Sequence, residues 1–139
     1  MTKTLTAAAI HALRVVTVSD IAAADLEPII DQAIGIINTE VGLDIGYLAG
    51  EAGSKTATVE DEEFAIVSTL TLILAINALL STEDTRWTVD RRNNAAEMIG
   101  TNGSLTRRYE VMAESIKSGA SETGAEGIAL LSWNDPLPE

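Results

Sequence analysis

The chain has 139 residues, 46% hydrophobic but only 4% aromatic, with no cysteine and a net charge of −12. That length makes one domain with a core of Ile, Leu, Val and Ala, a composition suited to close-packed helices. The charge excludes a general nucleic-acid binder, whose phosphate affinity needs dense Lys and Arg, and the missing thiols exclude disulfides and suit a reducing compartment.

The opening stretch MTKTLTAAAIHALRVV has one Lys before an apolar run that His11 and Arg14 interrupt, a poor match to a secretory signal. His11 is the only histidine, and with no nucleophile or carboxylate in its sequence context it reads as structural. Asp25 is the first strong helix start, capping Leu26 with Pro28 in the first turn, where a missing N–H costs nothing. From Leu26 onward Ile29, Ile30, Ala33, Ile34, Ile36, Ile37 and Val41 cover an arc of about 160°. Glu27, Asp31, Gln32, Gly35, Asn38 and Thr39 fill the other side, and Glu40 is the one exception to the pattern. Gly42 ends the helix, with Leu43 placed to close a Schellman-type cap. Glu27 and Asp31 share a face, a pair that on an exposed surface serves solubility.

Residues 43–58, with Gly46, Gly50 and Gly53, read as a long surface loop holding at most a short hairpin. Their spacing matches neither GxGxxG nor the Walker pattern, so a flexible connector is the expectation. Thr58-x-x-Asp61 forms a capping-box variant opening a second major helix. The acids Glu60, Asp61, Glu62 and Glu63 complement its dipole rather than bind a cation.

Residues 64–80 form the most apolar stretch, broken only by Ser68, Thr69, Thr71 and Asn77. Seventeen residues rise only about 26 Å as a helix, short of the ~30 Å hydrocarbon thickness, and both flanks are acidic. A membrane span is therefore not expected. The four polar residues scatter around the helix; Ser and Thr can bond back to the preceding turn, whereas Asn77 needs a partner. A helix apolar all round has to be surrounded, which predicts that a neighbouring subunit covers part of it.

A third helix is expected over residues 90–99, ended by Gly100. After the turn GTNG, Ser104 caps a fourth helix with the stripe Leu105, Tyr109, Met112 and Ile116, ended by Gly119. The tail is linker-like through GASETGAEG and then apolar through IALLSWNDPLPE. Such a peptide either folds back on its own domain or docks onto a partner. Five of the six arginines fall between residues 86 and 108 against two acids, which makes that segment +3 inside a chain otherwise −15. Arg91, Arg92, Arg107 and Arg108 are accordingly candidates for contact with acids or phosphates, or for pairing inside the chain, as Arg107 with Glu110. No HxxxH, CxxC or GxSxG pattern occurs, and neither an enzyme nor a cofactor is expected.

Three stretches resemble the small head–tail connector (adaptor) proteins of tailed bacteriophages. They are TVSDIAAADLEPIIDQAIGIINTEVG, the apolar helix of residues 64–80, and IGTNGSLTRRYE, together spanning roughly residues 17–118. The resemblance implies an all-α fold: a small helical bundle with a long central apolar helix, a Gly-rich loop and an extended C-terminal tail. It implies an adaptor domain over residues 1–118 and a docking tail over 119–139 with Leu130, Leu131 and Trp133 as anchors. It further implies a virion protein that forms a ring, dodecameric in the family, beneath the portal protein. The ring extends the DNA channel without sequence-specific binding and carries the downstream neck or tail-completion protein. The rival expectation is a small cytoplasmic helical module that binds a peptide between its first and last major helices.

Overall fold

The computed structural model describes residues 1–82 and 87–118, in the order β1 (Thr2–Leu5), α1 (Ala7–His11), α2 (Ala23–Val41), β2 (Ala57–Glu60), α3 (Asp61–Leu80), α4 (Val89–Ile99) and α5 (Ser104–Lys117). Four helices of 11 residues or more make it mostly helical. It is not purely all-α, because β1 and β2 pair antiparallel with Thr2 opposite Glu60 and Leu5 opposite Ala57. Each strand has four residues and buries a single large apolar side chain, Leu5 or Val59, too little alternation to read from sequence. The pairing takes Ala57 and Thr58 out of the expected loop. It also brings the Met1 carbonyl to accept from Asp61 N–H at 3.1 Å, satisfying a donor at the start of α3.

Helix α2 begins two residues before Asp25, with Ala22 at the N-cap and no side-chain cap. Pro28 consequently lies a turn further in than expected, and the Ala24 carbonyl loses its helical donor. Both residues are on the exposed side, which keeps the cost of the missing bond low. At the other end Gly42 adopts φ 83°, ψ 27°, the left-handed conformation that favours glycine, and Leu43 packs back on the core. The cap of α3 is the reciprocal pair Glu60 and Glu63, whose carboxylate accepts from Glu60 N–H at 2.8 Å, while Thr58 sits in β2. Helices α4 and α5 follow their expected bounds to within a residue, except that Gly103, not Ser104, is the N-cap of α5. Gly119 lies outside the described residues.

The core is the apolar arc of α2 (Leu26, Ile30, Ala33, Ile34, Ile37) against α3, with Leu105 and Met112 of α5 closing it from the other side. Helix α3 is long and apolar enough, by length and composition, to cross a bilayer. In this fold it is the central rod, packed on α2, α4, α5 and the small sheet. Ile66, Val67, Ser68, Thr69, Thr71, Leu72, Ala75 and Ile76 are almost wholly buried inside the single chain. Ser68 and Thr69 donate to the carbonyls of Phe64 and Ala65 at 2.6 and 2.8 Å, the back-bonding that makes such residues cheap to bury.

The expectation that α3 has no solvent side is corrected at its C-terminal end. Leu74, Asn77, Ala78 and Ser81 follow i, i+3, i+4, i+7 and form a strip that is exposed, apart from half-buried Leu74. Asn77 meets water and needs no partner. Most of the rod is thus enclosed by its own chain, with surface left for a neighbour at this last stretch and at half-buried Ala65 and Ile73.

Candidate functional site

Only part of the polar face of α2 looks into solvent: Gln32 and Thr39 are exposed, while Glu27, Asp31 and Asn38 are covered. Residues 43–56 lie across that covered part, held by side chains that read as solubilising in sequence. Asn38 both donates to the Ile45 carbonyl and accepts from Ile45 N–H, at 3.0 and 2.9 Å. Asp31 accepts from Leu48 N–H at 3.0 Å. Glu27, only 2% exposed, accepts from the N–H groups of Gly53 and Lys55 at 2.8 and 2.9 Å. An Ala49–Thr56 bridge folds the loop on itself. The flexible connector is therefore a docked loop, and its three anchors supply acceptors for backbone donors that would otherwise be unpaired.

The arginines divide by role. Arg91 grips Asp20, with Nη2 to Oδ2 at 2.8 Å and Nη1 to Oδ1 at 3.1 Å, and stacks 4.2 Å from the Trp87 ring. Trp87 Nε1 donates to the same carboxylate at 2.7 Å, as do Thr17 N–H and its hydroxyl. Burial pushes the Asp20 carboxyl up, but these donors and the Arg91 charge outweigh it and hold the group below its ordinary 3.8. Arg92 donates to the Leu80 carbonyl at 2.8 Å, capping the end of α3 from the neighbouring helix. Arg108 is 3% exposed, and Arg107 is exposed with no acid within salt-bridge range among the described residues, Glu110 included. Leu130, Leu131 and Trp133 lie outside the described residues.

His11 Nε2 donates to the Ile21 carbonyl at 2.9 Å, tying α1 to the segment before α2. Among the described residues no group of three His, Asp or Glu side chains could hold a metal ion.

Among the described residues a groove of about 600 Å³ runs along α5 between the end of α2 and the end of α4. Its floor is apolar, from Val41, Leu70, Ile73, Ile99 and Ala113. Its rim is acidic, with Glu40 on the α2 wall facing Glu110 and Glu114 on α5, and Lys117 as the lining cation. Two wall residues, Thr106 and Tyr109, carry buried hydroxyls without a hydrogen-bond partner among the described residues. Burial first, and then the nearby Glu40 charge, raise the Tyr109 phenol above its ordinary value.

The rival expectation from sequence placed a peptide groove between the first and last major helices but named none of its lining residues, though one signal was present. Glu40 interrupts the apolar arc of α2, and an acid out of register with a core face marks where that face leaves the core. Tyr109 belongs to the apolar stripe of α5 as expected, yet it is half-buried and lines the groove. No protein-family model matches the chain, and neither the curated proteins nor the solved structures contain a significant match to it.

Proposed function

We propose that the chain is a structural, non-catalytic adaptor of a phage head–tail junction. In this reading it assembles as a ring beneath the portal protein, extends the DNA channel and gives the neck or tail-completion protein a platform. The observation that carries it is the end of α3, where Leu74, Leu79 and Leu80 stay half-buried beside exposed Ala78. Such an apolar end with small neighbours suits a contact between copies. The charge of −12 supports a channel wall that repels DNA and lets it slide. The tail of residues 119–139 leaves from the end of α5, and in this reading Leu130, Leu131 and Trp133 anchor it on the portal. In this reading Arg107, the exposed member of the arginine set on α5, meets the acidic surface of the next copy.

The test is light scattering and negative-stain imaging of the isolated protein, then with portal. Rings alone or on portal are expected; a monomer that ignores portal would sink the reading. Trp133→Ala, or deletion after Gly119, is expected to weaken portal binding and leave helical circular dichroism unchanged. An unfolded truncation would make the tail part of the core instead.

A second reading is favoured by the groove. A small helical module that holds a peptide between α2 and α5 would use an apolar floor with charged rims, the layout found here. It predicts a soluble monomer or dimer that binds a peptide and forms no ring.

A further inference from the structure

We infer that the groove between α2 and α5 is a docking site for a basic amphipathic helix of another protein, which lays its apolar face on Ile73 and its cations on Glu40, Glu110 and Glu114. The inference deepens the groove reading by naming the chemistry of the occupant, and it rests on that reading.

Shape comes first. The lining residues of α5 run from Thr106 to Lys117, a rise of about 16 Å, which matches roughly three turns of a second helix laid alongside. Leu70 and Ile73 of α3 and Ala113 of α5 are the surface such a helix covers, and Ala113 lets a backbone approach closely.

Charge selects the occupant. Glu110 and Glu114 stand at i, i+4 on one wall and both are exposed, as is Glu40 across the groove. Three acids against Lys117 leave the rim negative, so an incoming acidic segment is repelled and a Lys/Arg pair at the same i, i+4 spacing is attracted. This argues against the chain's own tail, which brings Glu122, Glu126 and Asp135 with no Lys or Arg from residue 119 onward. A second copy is disfavoured too: no two Lys or Arg of the chain stand at i, i+4, Arg91 and Arg92 are engaged within their own chain, Arg108 is buried, and exposed Arg107 stands beside Glu110. The unpartnered hydroxyls of Thr106 and Tyr109 make this wall under-satisfied, a place where a rotamer shift on binding gains hydrogen bonds.

The test uses the full chain and a synthetic helix of about 14 residues, Leu on one face and Lys flanking it at i, i+4, beside a copy with Glu in place of Lys. Titration followed by fluorescence anisotropy is expected to show saturable one-to-one binding of the basic peptide only, weakening as salt rises from about 0.05 to about 0.5 M. Glu110→Lys with Glu114→Lys is expected to weaken it roughly tenfold or more. Asp44→Lys with Glu51→Lys, the same charge change on exposed residues outside the groove, is expected to weaken it far less.

If the acidic copy binds as well, or both double variants weaken binding equally, the charge assignment is overturned while the groove survives as a docking site. If neither peptide binds, a spin label resolves the cause. The chain has no cysteine, so Thr39→Cys carries a single label next to Glu40. Broadening of resonances from residues 128–133 would show the chain's own tail as occupant, and broadening between mixed labelled and unlabelled copies would show a second copy. Either result overturns the proposal. No binding and no broadening would overturn the groove reading with it.

Discussion

Two buried or half-buried carboxylates do most to tie distant segments to the helices. Glu27 receives two backbone donors from residues 26 and 28 positions further along the chain. Glu27→Ala strands both N–H groups beneath the loop, a loss of about 3 kcal/mol by urea unfolding, with faster hydrogen exchange at Gly53 and Lys55 as its local signature. Asp31→Ala removes one bond from a less buried acid and is expected to cost about 1 kcal/mol. Asp20 gathers Thr17, Trp87 and Arg91 around one carboxylate. Its folded pKa is depressed, so the stability it contributes is complete above its ordinary value of 3.8 and is lost as pH falls through the lower folded value. Melting temperatures of the wild type should therefore drop more steeply than those of Asp20→Asn as pH falls below about 4, and the two curves should converge in strong acid. Parallel curves would mean that Arg91 and Trp87 hold the neutral amide equally well.

The tightest constraint between elements is the turn from α4 to α5. Asn102 takes φ 66° and the Gly103 N–H closes on the Gly100 carbonyl at 2.9 Å. A Cβ built on Gly103 runs into the carbonyl oxygens of Glu97 and Met98 at the end of α4. Those atoms are backbone and cannot swing away, so Gly103→Ala is expected to cost about 2–3 kcal/mol and to lower the thermal midpoint, read by circular dichroism. An unchanged midpoint would mean that the two helices part without loss. This turn was legible in the sequence: GTNG followed by a regular stripe left few alternatives. So were the cap at Gly42 and the central position of α3, because each is written in local periodicity or in one residue's backbone preference. The β1–β2 pair was not, since four residues with one buried side chain each carry no period, and their partners stand more than 50 positions apart. The docked loop was also hidden. A carboxylate facing water and one accepting two loop amides look alike in sequence, and only the tertiary path of residues 43–56 separates them. The groove lay between these cases: a peptide site between the first and last major helices was a rival expectation, and Glu40 was the one residue that marked its wall.

At the scale of the whole molecule the question is how much apolar surface one copy leaves for another. A helix as apolar as α3 raises the expectation of a neighbour along its full length, and the fold answers most of that demand internally. Outside the groove that takes in Ile73, what remains is the strip Leu74, Asn77, Ala78 and Ser81, small side chains around one half-buried leucine. Small residues let backbones meet closely, so a contact there is decided by steric fit more than by buried area. Ala78→Arg tests this without touching the core, because residue 78 is exposed and a long cation there only blocks approach. If copies meet through this strip, sedimentation of the wild type at micromolar concentration shows species well above 14.7 kDa, and Ala78→Arg returns it to that mass with unchanged helical content. A variant that assembles as well as the wild type would move the contact elsewhere, to the surface around Arg107. A wild type that sediments as a monomer with portal present would leave the groove, with its acid rim, as the feature through which the protein works.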